Sequence, residues 1–239
     1  MIKQVPGRIY LADQRGITET ALFRRRCTFN FGKFQNEHKV PFGNLHVLNE
    51  ETLAGSQRVD FEVEQDSHVI IIPVTGAVDF VVSGNILTVD VEEILVCHLP
   101  AMSSFCLTNP YQNNTDTFLQ LWIKAALPIS SPAHQHFVFD FNSIENKLAK
   151  IIPEEADSQY RLPLSLSIGR FTGRHEAMYS LKSTHSLFYA YAIAGVFEME
   201  GRLLHEGDGL ALWGTDNVEL EALSNNALIL TLELQESNS

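Results

Sequence analysis

Glu62, Glu64 and His68 lie in the stretch from Phe61 to Gly76, Phe-Glu-Val-Glu-Gln-Asp-Ser-His-Val-Ile-Ile-Ile-Pro-Val-Thr-Gly. Their separations are even, so an extended chain places all three side chains on one face. Two carboxylates and an imidazole are competent ligands for a divalent metal. The same alternation also describes a wetted strand, with Glu62, Glu64 and Asp66 toward solvent and Phe61 and Val63 toward a core. Two inward carboxylates without a metal would repel each other, and burial would raise the pKa of at least one. Both readings stand on the same residues.

Other candidates are fewer. Cys97 and Cys106 flank one predicted hairpin, and a cysteine-based redox sensor needs an exposed thiol of low pKa. Cys106 sits between Phe105 and Leu107, a setting that suits a small buried hydrophobe. His134-Gln135-His136 is the single His-x-His of the chain and reads as a polar surface pair after a proline-rich linker. Arg24-Arg25-Arg26 reads as charge on an edge strand, where it discourages pairing with other chains. His175, Glu176 and His185 are isolated. No Ser-His-Asp order, phosphate-binding glycine loop, CxxC pair or nucleic-acid motif is present.

The elements that must position these residues are set by the whole chain. Its 239 residues suffice for one large or two modest domains, and 45% hydrophobic with 19% charged residues is a globular balance. A formal net charge of −12 argues against nucleic acid or anionic membrane surfaces as partners. No apolar run approaches the roughly 20 residues that span a bilayer. The N-terminus lacks the apolar core of a signal peptide, and three cysteines make no disulfide framework. The expectation is a soluble, cytoplasmic protein.

Strand signals dominate at nearly even spacing: Arg8 to Ala12, Ala21 to Phe34, Leu45 to Leu48, Ala77 to Val82, Ile86 to Val91, Ile94 to Leu99, Ser103 to Leu107 and Thr117 to Ile123. Ser83-Gly84-Asn85 is a hairpin turn signal. Composition shifts at Ala126 to Pro132, which predicts a first barrel over 1–130 and a connector over 131–160. Within that connector, the spacing of Ile144, Leu148 and Ile151 or Ile152 predicts a helix over 143–152, stopped by Pro153. A second strand series over 161–239 repeats the strand–Gly–strand layout, with Gly76 and Gly195 lying 119 positions apart. The fold class is all-β, two barrels in one chain.

Arg15-Gly16, Thr28-Phe29-Asn30-Phe31-Gly32-Lys33-Phe34, Phe42-Gly43-Asn44-Leu45-His46-Val47-Leu48-Asn49-Glu50 and Leu119-Gln120-Leu121-Trp122-Ile123 together resemble the N-terminal half of pirin-like proteins. The resemblance covers roughly residues 8 to 125 and implies a bicupin, two cupin-type barrels with the metal, where there is one, in the first. That family's metal motif is His-x-His, three residues, Glu, then seven residues and Gly. Counted back from Gly76, it falls on Glu62, Glu64 and His68. The family's second motif places its His at Cys106 and its Glu at Thr108. Spacing is kept while every ligand is replaced, and in the second barrel Leu181, Ser183 and Leu187 stand at ligand positions.

The resemblance therefore implies a pirin-like bicupin that has lost the family metal site, a non-catalytic scaffold for a small molecule or a protein, with Glu62, Glu64, His68, Cys106 and Thr108 lining its pocket. No cofactor belongs to that reading. The alternative is a metal-dependent dioxygenase similar to quercetin 2,3-dioxygenases. It would hold iron, manganese, copper or zinc on Glu62, Glu64, His68 and Cys106, with Glu64 as base.

Overall fold

In the computed structural model, which describes residues 4–153 and 162–235, the β-branched and aromatic runs become strands and the only helical element is a 3₁₀ turn at Ala12–Gln14. In chain order these are β1 (Gly7–Tyr10), β2 (Gly16–Glu19), β3 (Phe23–Cys27), β4 (Leu45–Leu53), β5 (Arg58–Glu62) and β6 (Ser67–Pro73). Then come β7 (Ala77–Val82), β8 (Asn85–Asp90), β9 (Glu93–Leu99), β10 (Ser104–Thr108), β11 (Asp116–Lys124) and β12 (Ala133–Val138). The rest of the chain adds β13 (Lys147–Ile152), β14 (Leu164–Phe171), β15 (Glu176–Ser180), β16 (Leu187–Ala194) and β17 (Phe197–Met199). It ends with β18 (Arg202–Leu204), β19 (Gly209–Leu212), β20 (Asn217–Ala222) and β21 (Ala227–Leu234).

Residues 15–139 form one unit. Its larger sheet has the order β12-β9-β6-β11-β4-β3-β2 and its smaller sheet the order β5-β10-β7-β8. The apolar faces of the two sheets meet. Phe61, Phe80, Phe105 and Leu107 from the small sheet share a core with Val69, Ile71, Leu95, Phe118 and Trp122 from the large one. Burial of this kind is worth roughly 25 cal/mol per Å² of apolar surface, and it fixes strand register, because a slip of one residue turns each buried side chain outward.

The second unit is built on the same plan. Its small sheet, β15-β20-β17-β18, repeats the order of β5-β10-β7-β8, and its large sheet runs β1-β19-β16-β21-β14-β13. Phe171, Phe188, Phe197, Leu210 and Ile229 lie in its core. The duplication read from the glycine spacing thus appears in the topology, and Gly76 and Gly195 both sit in the left-handed region, at φ 63° and 78°.

Three expectations are corrected. The segment 143–152 is not a helix: it turns at Ile144 and continues as strand β13, paired antiparallel with β14. The four-residue spacing that suggested a helix is also an even one, compatible with a strand, in which Leu148 lies opposite Gly169 and, past a register shift after Lys150, the buried Ile152 lies opposite Leu166, with Lys147 exposed. The N-terminal strand, expected in the first barrel, pairs with β19 and completes the second unit, while β12 lies beyond the proline-rich segment and closes the edge of the first. Finally, the Arg24–Arg26 strand is not an edge. β2 covers it on one side and β4 on the other.

Candidate functional site in the N-terminal barrel

The register of β5 against β10 decides where the predicted site residues point. Phe61 lies opposite Phe105, and both point into the barrel core; Glu62 lies opposite Ser104, Asp60 opposite Cys106 and Arg58 opposite Thr108 on the other face. Glu62 and Glu64 are exposed. The parity holds across the bend after Glu64, with Val69 and Ile71 entering the core as Phe61 and Val63 do, but β6 belongs to the large sheet, so His68, only 4% exposed, is buried on that sheet's far face. Glu62, Glu64 and His68 therefore do not converge. Glu62 and Cys106 do share a shallow outer groove with Arg58, Asp60 and Val81.

The side chains that do fill the barrel are different ones. Arg25 on β3 lies directly across from Glu51 on β4, and its Nε donates to Glu51 Oε1 at 2.6 Å. Its guanidinium carbon sits 5.0 Å from the ring centre of Phe23, 4.9 Å from Phe31 and 5.0 Å from Phe61. With the Gln120 amide oriented to satisfy both neighbours, its NH₂ donates to Glu51 Oε1 at 3.2 Å and its oxygen accepts from Trp122 Nε1 at 3.0 Å. Trp122 meets Phe31 edge-on at 5.7 Å, and Phe105 is stacked between Phe61 and Phe80 at 5.0 and 4.7 Å. Desolvated cation–π contacts are worth up to about 2 kcal/mol. They hold the guanidinium in a carboxylate-backed aromatic box. Burial pushes the Glu51 carboxyl up to about 7, against the opposing pull of Arg25.

This interior does not fit a metal of the kind the resemblance implies. The side chains that the register points inward from the small sheet, Phe61, Val63, Phe105 and Leu107, carry no donor atom. Among the described residues no group of three or more His, Cys, Asp or Glu is placed to hold a metal ion.

On the outer face of the large sheet, His68 and His98 are cross-strand neighbours with Nδ1 atoms 2.7 Å apart and rings at 81°. One Nδ1–H donates to the other Nδ1, so the pair is built for two neutral imidazoles. Burial holds His68 down to about 4 and His98 to about 3, the charges of His68 and His134 adding to the latter. His46, whose Nε2 lies 3.2 Å from Ser67 Oγ, is held at about 4, again chiefly by burial. His98 was not singled out from the sequence. The signal available was its position opposite His68, which becomes readable only once β6 and β9 are paired. His134 and His136 are both exposed on β12, and His136 Nε2 pairs with Glu93 at 3.1 Å.

All three cysteines are free and buried, and burial raises Cys27 to about 11 and Cys97 further still. A thiol reagent such as DTNB is expected to leave the native protein unlabelled over minutes and to react with all three cysteines after denaturation. Rapid native reaction at Cys106 would restore the redox-sensor reading. In the second barrel, Leu181 is a core residue, and the buried polar group nearby is Glu233, which accepts from the Tyr179 hydroxyl at 2.9 Å and from the Lys182 N–H at 2.8 Å.

Residues 163–234 match the family model of the quercetinase C-terminal cupin domain. A Pasteurella multocida protein provisionally assigned as a quercetin 2,3-dioxygenase is 21% identical over 230 residues, covering 93% of this chain and 97% of its own length. The quercetin 2,3-dioxygenase of Escherichia coli K12 is 20% identical over the same shares. Among solved structures, the nickel(II) complex of the bacterial pirin YhhW from Escherichia coli superposes with a TM-score of 0.84 at 16% identity, covering 97% of this chain and 100% of that one. The Escherichia coli protein YhaK superposes with a TM-score of 0.71 at 22% identity, over 87% and 92% of the two chains.

Proposed function

Because the chain is a pirin-like bicupin, we propose that it acts as a metal-independent, non-catalytic binding scaffold for a small molecule or a protein. One observation carries this reading: the positions that face the barrel interior hold Phe61, Val63, Phe105 and Leu107, and the cation packed against Phe61 is the chain's own Arg25, paired with Glu51. A metal that binds oxygen and polarises a substrate needs ligand atoms aimed at it and an open coordination position. Neither follows from a packed aromatic interior. Space for a small ligand lies instead at the open side of the barrel, where Val82, Leu87, Leu99, Pro132 and His134 line a groove of about 510 Å³ between β8 and β12.

A second reading, metal-dependent dioxygenase, is supported by the names of relatives matched over nearly their whole length. It would require Glu62, Glu64, His68 and Cys106 to converge from opposite sides of two sheets. Metal analysis of protein purified without chelator or affinity-tag metal separates the two. The scaffold reading expects well under 0.2 metal per chain, and it expects Glu62→Ala/Glu64→Ala to shift the melting temperature by no more than about 2 °C, since both residues are exposed. Stoichiometric metal that disappears in this double variant, together with oxygen-dependent cleavage of quercetin, would establish the dioxygenase.

A further inference from the structure

The Arg25 box has the composition of a receptor site rather than of an ordinary core. Three aromatic faces, Phe23, Phe31 and Phe61, surround one guanidinium at 4.9–5.0 Å, and a carboxylate that is 1% exposed meets its edge at 2.6 Å. Arg25 itself is 14% exposed, so the box lies close to solvent on the β3 side. A guanidinium is planar, weakly hydrated and able to stack while its edge hydrogen-bonds, a combination that neither an ammonium nor a hydrated metal ion offers. Gln120 and Trp122 fix the carboxylate from behind, so that Glu51 is held in place by neighbours other than Arg25.

We infer that the interior of the N-terminal barrel is an organic-cation site selective for guanidinium-type groups, and that the chain fills it in cis with Arg25. The inference rests on the metal-free reading above and deepens it: the positive charge that a metal supplies in a cupin is supplied here by a side chain. Glu51, Phe23, Phe31 and Phe61 are the recognition residues, and Arg25 is the bound group.

Removing the side chain and returning the cation tests this. Arg25→Ala is expected to lower the melting temperature by roughly 5–10 °C, because it leaves Glu51 buried without its cation. At 20 mM, guanidinium or methylguanidinium is expected to raise the melting temperature of Arg25→Ala by about 3 °C or more, while urea, Mg²⁺ and Ni²⁺ leave it unchanged and wild type responds to none of them. Adding Glu51→Gln to Arg25→Ala should abolish the response. If Arg25→Ala does not fold alone, the same comparison is made on the yield of refolded protein with guanidinium against urea. Equal effects of guanidinium and urea, or rescue that survives Glu51→Gln, would overturn the cation site. Stoichiometric metal in the wild-type protein would instead overturn the metal-free reading, whatever guanidinium does to the variant.

Discussion

Lowering the pH from 7.5 to 4.5 is expected to remove several kcal/mol of stability, with most of the loss falling below pH 6.5. His46 and His68 are held at about 4 and His98 at about 3 in the folded chain, each chiefly by burial. An unfolded histidine titrates near 6.5, so between that value and the folded pKa the unfolded state binds more protons, and stability falls as pH falls. At pH 4.5 each of the three costs on the order of 2–3 kcal/mol. Glu51 works in the opposite direction. Its carboxyl is raised to about 7, so the folded state takes up its proton first and stability rises as pH falls from 7 toward 4.5, by up to about 3 kcal/mol.

Three histidines against one carboxyl leave a net loss of about 5 kcal/mol, comparable with the whole margin of many domains. The His68–His98 pair sharpens the effect, because protonating the ring whose Nδ1 accepts turns a donor–acceptor contact of 2.7 Å into two donors facing each other. Urea midpoints at pH 7.5, 6.0, 5.2 and 4.5 measure this directly. In His68→Leu/His98→Leu the slope between pH 6.5 and 4.5 should fall to less than half that of wild type, whatever the variant does to stability at pH 7.5. An unchanged slope would show that the pair does not carry the acid sensitivity.

The architecture was legible because it depends on signals the chain repeats. Alternating apolar residues, the Ser83-Gly84-Asn85 turn and the paired Gly76 and Gly195 locate strands and turns without reference to anything distant. The site was not legible, and the reason is parity. Alternation places Glu62 and Glu64 on one face and Phe61 and Val63 on the other, but only the pairing of Phe61 with Phe105 and the stacking on Phe80 determine which face is inside. The bend before Ser67 then carries the chain from the small sheet to the large one, so His68, still turned from the core, lies beyond the opposite sheet from Glu62 and Glu64, which no local pattern announces.

Arg25 was hidden for a related reason. Its neighbours in sequence are two further arginines, one of which, Arg26, faces the other way and pairs with Glu50 at 3.1 Å. What draws Arg25 inward is Glu51, on a strand 26 residues away, together with three rings from three different segments. A basic triplet on a solvent edge and a basic triplet straddling a sheet have the same sequence. The difference lies in whether another strand forms outside it, and β2 does.

The repeated turns allow a sharper test of what the duplication requires of the backbone. Gly76 and Gly84 both have positive φ, 63° and 80°, and so do Gly195 and Gly201, at 78° and 68°. Any L-residue at these four positions meets the cost of the left-handed region, about 1 kcal/mol or somewhat more. Their surroundings differ. A Cβ on Gly76 would lie 2.0 Å from Asp116 Oδ1, and one on Gly195 would lie 2.4 Å from Ser224 Oγ with the Ala227 backbone 3.0 Å away, whereas Gly84 and Gly201 face open space.

Asp116 is buried at the start of β11 and accepts a hydrogen bond from the Ala77 backbone, and Ser224 Oγ accepts from the Val196 N–H, so both obstructing atoms are already engaged in holding the turn. Gly76→Ala and Gly195→Ala are therefore expected to cost about 3 kcal/mol or more each, and Gly84→Ala and Gly201→Ala only about 1 kcal/mol. Denaturant midpoints of the four variants decide it. Equal costs at all four sites would mean that φ alone governs these turns and that the close approach of strand and side chain at Gly76 and Gly195 is relieved by small shifts. A large gap would mean that the two barrels keep glycine at equivalent positions because the following strand returns too close for a Cβ.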